Sequence, residues 1–152
     1  MNNTLSIAER ISSILLLAFG LMIDARAVFW IIESEHAIND SPFYAKLNEV
    51  APLWLWGYVL LVFGTIMLFA SYAIPKRLVS VNFSLFVLIG CTGSAIFYFF
   101  LTVVSMADSL NWLTPVLFLI QTSCLGICGF VGGIDYARKR QDSRATSYHI
   151  RA

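Results

Sequence analysis

Charge is what this sequence has least of. Asp, Glu, Lys and Arg make up 12% of the 152 residues against 59% hydrophobic, with a mean hydropathy of +0.77. A water-soluble domain carries about 25% charged residues, so roughly half the charge needed to coat a surface facing water is missing. A soluble globular fold is excluded. Neither sign dominates: ten basic against nine acidic residues leave a formal charge of +1, so no nucleic-acid partner is expected. Cysteine is scarce and odd in number, and Cys91, Cys124 and Cys128 all fall in apolar stretches. No disulfide framework follows. Cys124 and Cys128 share a helix face, which suits close packing better than a soft-metal pair. The sequence has no repeat of 20 to 50 residues and no low-complexity tract. It also has no nucleophile with a base and orienter, no phosphate-cradling glycine loop and no paired catalytic carboxylates. Neither an enzyme nor a cofactor or metal site is expected.

What is present is long apolar runs. Four windows qualify: Ile11 to Ile32, Pro52 to Ile74, Leu78 to Ala107 and Trp112 to Ile134. Crossing about 30 Å of hydrocarbon takes about 20 helical residues, so each is a transmembrane helix candidate. The first is read as a retained helix, because Glu9 precedes it and Ile31-Ile32-Glu33 offers no small-residue cleavage site. With both termini inside, the inner segments carry Arg10, Lys76, Arg77, Arg138, Lys139, Arg140, Arg144 and Arg151, and the outer loops carry only Lys46. That is the retention pattern of cytoplasmic loops. Trp30, Trp54, Trp56 and Trp112 all fall at the outer ends, where an interfacial aromatic belt would sit. The expected fold is an all-α integral membrane four-helix bundle over residues 1-135, followed by a basic cytoplasmic tail over 136-152.

The links Pro75-Lys76-Arg77 and Asp108-Ser109-Leu110-Asn111 are short, which makes the second, third and fourth spans antiparallel neighbours. In the longer outer loop, from Glu33 to Ala51, Ser41-Pro42 has N-cap and N1 chemistry. Phe43, Tyr44, Leu47 and Val50 then recur at helical spacing. Two readings stand: a short amphipathic helix on the outer leaflet, or a solvated loop turning at Asn39-Asp40-Ser41-Pro42.

Ionisable groups inside a span cost about 2.5 to 3.5 kcal/mol each and are functional candidates by default. The first span holds two, Asp24 and Arg26, which point to different sides of the helix. Asp24 shares a stripe with Ser13, Gly20 and Ala27, small residues of the kind that let membrane helices approach, and so is expected to face the bundle interior. Asp24 and Gln121 sit at matching depth, with Tyr58, Tyr98 and Thr102 in the same outer half. These residues make an intramembrane polar layer that either satisfies itself and fixes helix register or forms an ion, proton or ligand site. For Arg26 four partners are open: Asp24 of a neighbouring protomer, Glu33, a lipid phosphate, or the face of Trp30. On the last span Gly126, Gly129 and Gly133 line a packing face, against either another helix of the chain or a second copy. Arg138, Lys139 and Arg140 open the basic tail, where anionic lipid or a soluble partner would dock.

From Ser41-Pro42-Phe43-Tyr44-Ala45-Lys46-Leu47 through Val50-Ala51-Pro52 to Trp56-Gly57, the sequence resembles small four-span membrane proteins encoded by bacteriophages, prophages and other mobile elements. In these a similar segment joins the first two helices. The resemblance implies a bacterial inner membrane and a part in the contest between phage and host, with no catalytic residue to carry over. The expected function is therefore a non-enzymatic interaction protein, oligomeric or bound to a partner membrane protein. Superinfection exclusion, toxin immunity or membrane sensing in an anti-phage system would each fit. The alternatives are a holin-like pore former or ion or proton conductor built around Asp24, and an accessory subunit of a larger membrane complex.

The topology makes a direct prediction. Reporter fusions at Pro75 and Ala152 should read cytoplasmic and one at Asn39 external; a cytoplasmic signal at Asn39 would invert the whole assignment.

Overall fold

The computed structural model describes residues 7–73, 81–108 and 111–151, and among them all regular structure is α-helical. Six helices follow in order: α1 (Ile7–Ile32), α2 (Ser34–Asp40), α3 (Pro42–Val50), α4 (Leu53–Ala73), α5 (Val81–Asp108) and α6 (Leu113–Arg151). Four are long and apolar enough to cross a membrane, over Arg10–Ile32, Leu53–Tyr72, Asn82–Ala107 and Leu113–Asp142. The Pro75-Lys76-Arg77 link, the start of the third expected span, Ser109-Leu110 and the side chains of Arg144 and Arg151 lie outside the described residues.

Local chemistry places the helix ends. Ser41 is extended at φ −148° and ψ 130°, the conformation a following proline imposes, so α2 stops there and Pro42 opens α3. The helical reading of this loop holds, with two short helices: Asn39 and Asp40 belong to α2, Pro42 opens α3, and only Ser41 between them is extended. The Ser41 side chain makes no cap bond; its carbonyl accepts from the Tyr44 and Ala45 N–H groups. At α6 the Asn111 carboxamide oxygen accepts from Leu113 N (3.1 Å) and Thr114 N (3.2 Å), which satisfies two of the donors a helix start leaves open. The 39 residues of α6 make a rod about 58 Å long, nearly twice the hydrocarbon thickness, so the basic tail is a helical extension of the last span.

The long helices pack as a row, α1 on α4, α4 on α5 and α5 on α6. Small residues set each antiparallel contact. Gly20 lies against Leu68 and the Gly64 carbonyl, Gly57 against the Ala27 carbonyl and Ile31, and the Ser13 hydroxyl donates to the Ser71 carbonyl at 3.0 Å. Along α6, Gly129 meets Thr92, while Gly132 and Gly133 meet Val87 and Leu88. The glycine face is thus taken up by α5 of the same chain. Gly126 is not part of it: nothing lies within 4 Å of where its Cβ would be. Gly132, one residue off the expected stripe, is.

The outward faces stay apolar. Tyr72, Ile127 and Phe130 are among many large side chains left exposed, as expected where the surrounding solvent is hydrocarbon. The tryptophans divide. Trp112 is three-quarters exposed at 75%, whereas Trp30 is wholly buried and Trp56 donates to the Leu47 and Ala51 carbonyls. The expected belt is therefore only partly at the surface.

A methyl group at Gly129 would come within 2.5 Å of Thr92 Oγ1, and one at Gly57 within 2.8 Å of the Ala27 carbonyl. Gly57→Ala and Gly129→Ala should each destabilise the fold by about 1–3 kcal/mol through overpacking. Gly126→Ala should be neutral or stabilising by up to about 1 kcal/mol, since alanine is the better helix former. Unfolding in mixed detergent–SDS micelles, followed by circular dichroism, reads the order.

Candidate functional site

Successive residues of a helix step about 100° around its axis, so Asp24 and Arg26 leave α1 in different directions and enter different environments. Asp24 turns to α4. Its carboxylate fills the space left by the missing side chain of Gly64, with Thr65 as polar neighbour, and Oδ1 is buried without a hydrogen-bond partner.

Arg26 turns to α5 and α6. Its guanidinium carbon stands 4.8 Å from the ring centre of Phe118 and 5.5 Å from that of Tyr98, whose rings are themselves 5.8 Å apart. Cation–π contact of this kind is worth about 2 kcal/mol or more when desolvated. The aromatic enclosure continues outward. Trp30, one turn along α1, packs on Phe97 at 6.3 Å and on Tyr44 at 5.9 Å, and Phe43 packs on Phe118 at 5.8 Å. The first turn of α3 thereby roofs the box, and Phe43 and Leu47 are buried under it. Within the box Arg26 Nη1, Trp30 Nε1 and Tyr98 Oη are buried with no hydrogen-bond partner, and Gln121 stands beside Tyr98.

The five residues expected in one layer, with Arg26 beside them, are therefore not one layer. Arg26, Tyr98 and Gln121 come together. Asp24 is on the α4 side. Thr102 is buried but spends its hydroxyl on the Tyr98 carbonyl at 2.8 Å, the usual bond of a threonine to the preceding turn. Tyr58 is excluded: it is 50% exposed on the outside of α4, with its ring against Trp54 at 6.0 Å. Of the four partners considered for Arg26, neither Trp30 nor Glu33 is the one found. The rings belong to α5 and α6, which sequence neighbours could not reveal.

A second polar cluster lies at the opposite end of the helices. Ser84 donates to Asp135 Oδ2 at 2.6 Å, and Lys139 pairs with the same oxygen at 3.0 Å and donates to Ser84 Oγ at 3.1 Å. The serine proton and the lysine charge are both held by one carboxylate, so the trio ties α5 to α6. Lys139 is thus drawn back onto its own helix instead of standing out with Arg138 and Arg140, which remain exposed. The i,i+4 spacing of Asp135 and Lys139 was readable in the sequence; Ser84 was not. Above this trio a crevice of about 230 Å³ opens between α1 and α6, walled by Leu16, Phe19, Val87, Leu125 and Val131. Cys91 and Cys128 also line it, and among the described residues no group of metal-ligating side chains gathers there or elsewhere.

Comparison with protein-family models, with curated proteins and with solved structures returns no match to this chain.

Removing Asp135 strands a buried serine hydroxyl, so Asp135→Leu should cost about 1–3 kcal/mol. In a double-mutant cycle with Lys139→Met the coupling energy should reach at least about 0.5 kcal/mol. Additive losses would show that the pair contributes nothing to joining α5 and α6.

Proposed function

We propose that this chain is a non-enzymatic integral membrane protein of the bacterial inner membrane that works by recognising another component at its outer half. Phage exclusion, toxin immunity and membrane sensing against phage are the roles in view. The observation that carries the reading is the half-buried Arg26, which has no acidic partner among the described residues and whose buried Nη1 is unmet, like Trp30 Nε1 and Tyr98 Oη beside it. A buried charge is costly unless paired, and a polar group retained at such cost marks a site of use. The neighbouring α3 roof, formed by the segment that resembles phage-encoded proteins, supports an outer-facing role. On this reading the exposed Arg138 and Arg140 meet anionic lipid on the inner face. Any contact with a second copy would use a surface other than Gly129 and Gly133, which α5 already covers.

The conductor reading built on Asp24 is less well supported. Asp24 and Arg26 lie on different sides of α1, and the crevice below is walled mostly by apolar side chains, with Ser12, Ser84 and Asp135 as its polar lining and Asp24 not among its walls. The deciding measurement is membrane potential, read with a voltage-sensitive dye in bacteria while the protein is induced and its insertion verified. A held potential is the expected result. Depolarisation that disappears in Asp24→Asn would replace recognition with conduction.

A further inference from the structure

Among the described residues, four buried side-chain atoms lack hydrogen-bond partners: Asp24 Oδ1, Arg26 Nη1, Trp30 Nε1 and Tyr98 Oη. Their distribution is uneven. The one obligate acceptor, Asp24, faces Gly64 and Thr65 on α4. The other three bear N–H or O–H groups and belong to the aromatic box between α1, α5 and α6. Arg26 and Trp30 are one turn apart on the same face of α1, the Tyr98 ring lies beneath the guanidinium, and both Trp30 and Tyr98 are fully buried at 0% exposure. Buried donors are almost always satisfied; Gln121 stands within reach of the Tyr98 hydroxyl, but Arg26 Nη1 and Trp30 Nε1 have no such neighbour among the described residues, and a cationic donor among them calls for an acceptor from outside the chain.

We propose that this box binds an anion, which accepts hydrogen bonds from Arg26 Nη1, Trp30 Nε1 and Tyr98 Oη. A negative group supplies at once the acceptor that the three donors need and the countercharge that Arg26 needs, which a neutral carbonyl or water would not. The rings of Tyr98 and Phe118 flank the guanidinium and leave its edge as the route to the anion. Arg26 lies six residues from Ile32, the end of α1, about 9 Å along the helix. At that depth either a small free anion or the phosphate of an outer-leaflet lipid can supply the charge. The inference deepens the recognition reading by naming the chemistry of what the outer half takes. Its test in detergent involves no membrane potential, so the two can fail separately.

The full chain, purified in a neutral detergent and held in a bulky sulfonate salt, is titrated with chloride at constant ionic strength and, in parallel, with phosphatidylglycerol in mixed micelles. The readout is the thermal midpoint. Saturable stabilisation of about 3 °C or more by at least one probe is expected, because a ligand bound only by the folded state raises the midpoint by mass action. A chloride response identifies a free anion, and a response to phosphatidylglycerol alone identifies a lipid headgroup. Arg26→Gln should abolish the shift. Tyr98→Phe, which keeps the ring and removes one donor, should require about five-fold more of the same probe. The proposal is overturned if neither probe stabilises the wild type, or if Arg26→Gln responds as the wild type does. Should Arg26→Gln not fold, an unchanged titration of Tyr98→Phe overturns it as well.

Discussion

In hydrocarbon a backbone N–H or C=O has no water to turn to, and four helices long and apolar enough to cross a membrane meet that constraint. It commits the apolar runs to helices, which satisfy their backbone internally. It also removes the hydrophobic effect as a reason for those helices to meet, since lipid is as apolar as leucine. What remains is close van der Waals approach, and the glycines provide it. Gly20, Gly57 and Gly64 let α1 and α4 run nearly backbone to backbone, and Gly129 and Gly132 do the same for α6 against α5. Two tight pairs result, joined through α4 and α5, with a crevice left where α1 faces α6.

The polar groups follow the same economy of space. Asp24 fits because Gly64 has no side chain to occupy its place. Arg26, two residues on, has no glycine opposite it and meets two aromatic faces from helices distant in the chain. Rings attract a cation without accepting hydrogen bonds in the manner of a carboxylate, so the charge is partly offset while the N–H donors stay unmet. A single helix thereby carries one carboxylate toward a packing seam and one guanidinium toward a box. α3 completes that box: Phe43 and Tyr44 reach Phe118 and Trp30 because Pro42 starts α3 at the place where Ser41 must be extended. The far end is closed differently, by Ser84, Asp135 and Lys139, where charge is paired and the hydrogen bonds tie α5 to α6.

Much of this was legible before any coordinates. The Ser13, Gly20, Asp24, Ala27 stripe does lie along α4, since small residues at helical spacing define a face whatever they face. The opposed directions of Asp24 and Arg26 follow from helix geometry alone. Tyr58 does not join the polar layer because sequence fixes depth and not rotation: a tyrosine at the right height can stand on the outside, and here its ring meets Trp54 edge-on. Gly126 was grouped with Gly129 for the same reason, although the α6 face that α5 covers passes through Gly129, Gly132 and Gly133.

Composition, run length and helical period thus determined that the chain is all-α, that four helices are long and apolar enough to cross a membrane, and which residues share a stripe. These are properties of single segments, and single segments carry them. Which stripe meets which was decided only by the tertiary structure. The rings that hold Arg26, the partner of Gly129 and the Ser84 bond to Asp135 all join residues dozens of positions apart. Such contacts depend on how rods of similar polarity rotate and slide against one another, and no periodicity within one rod encodes that.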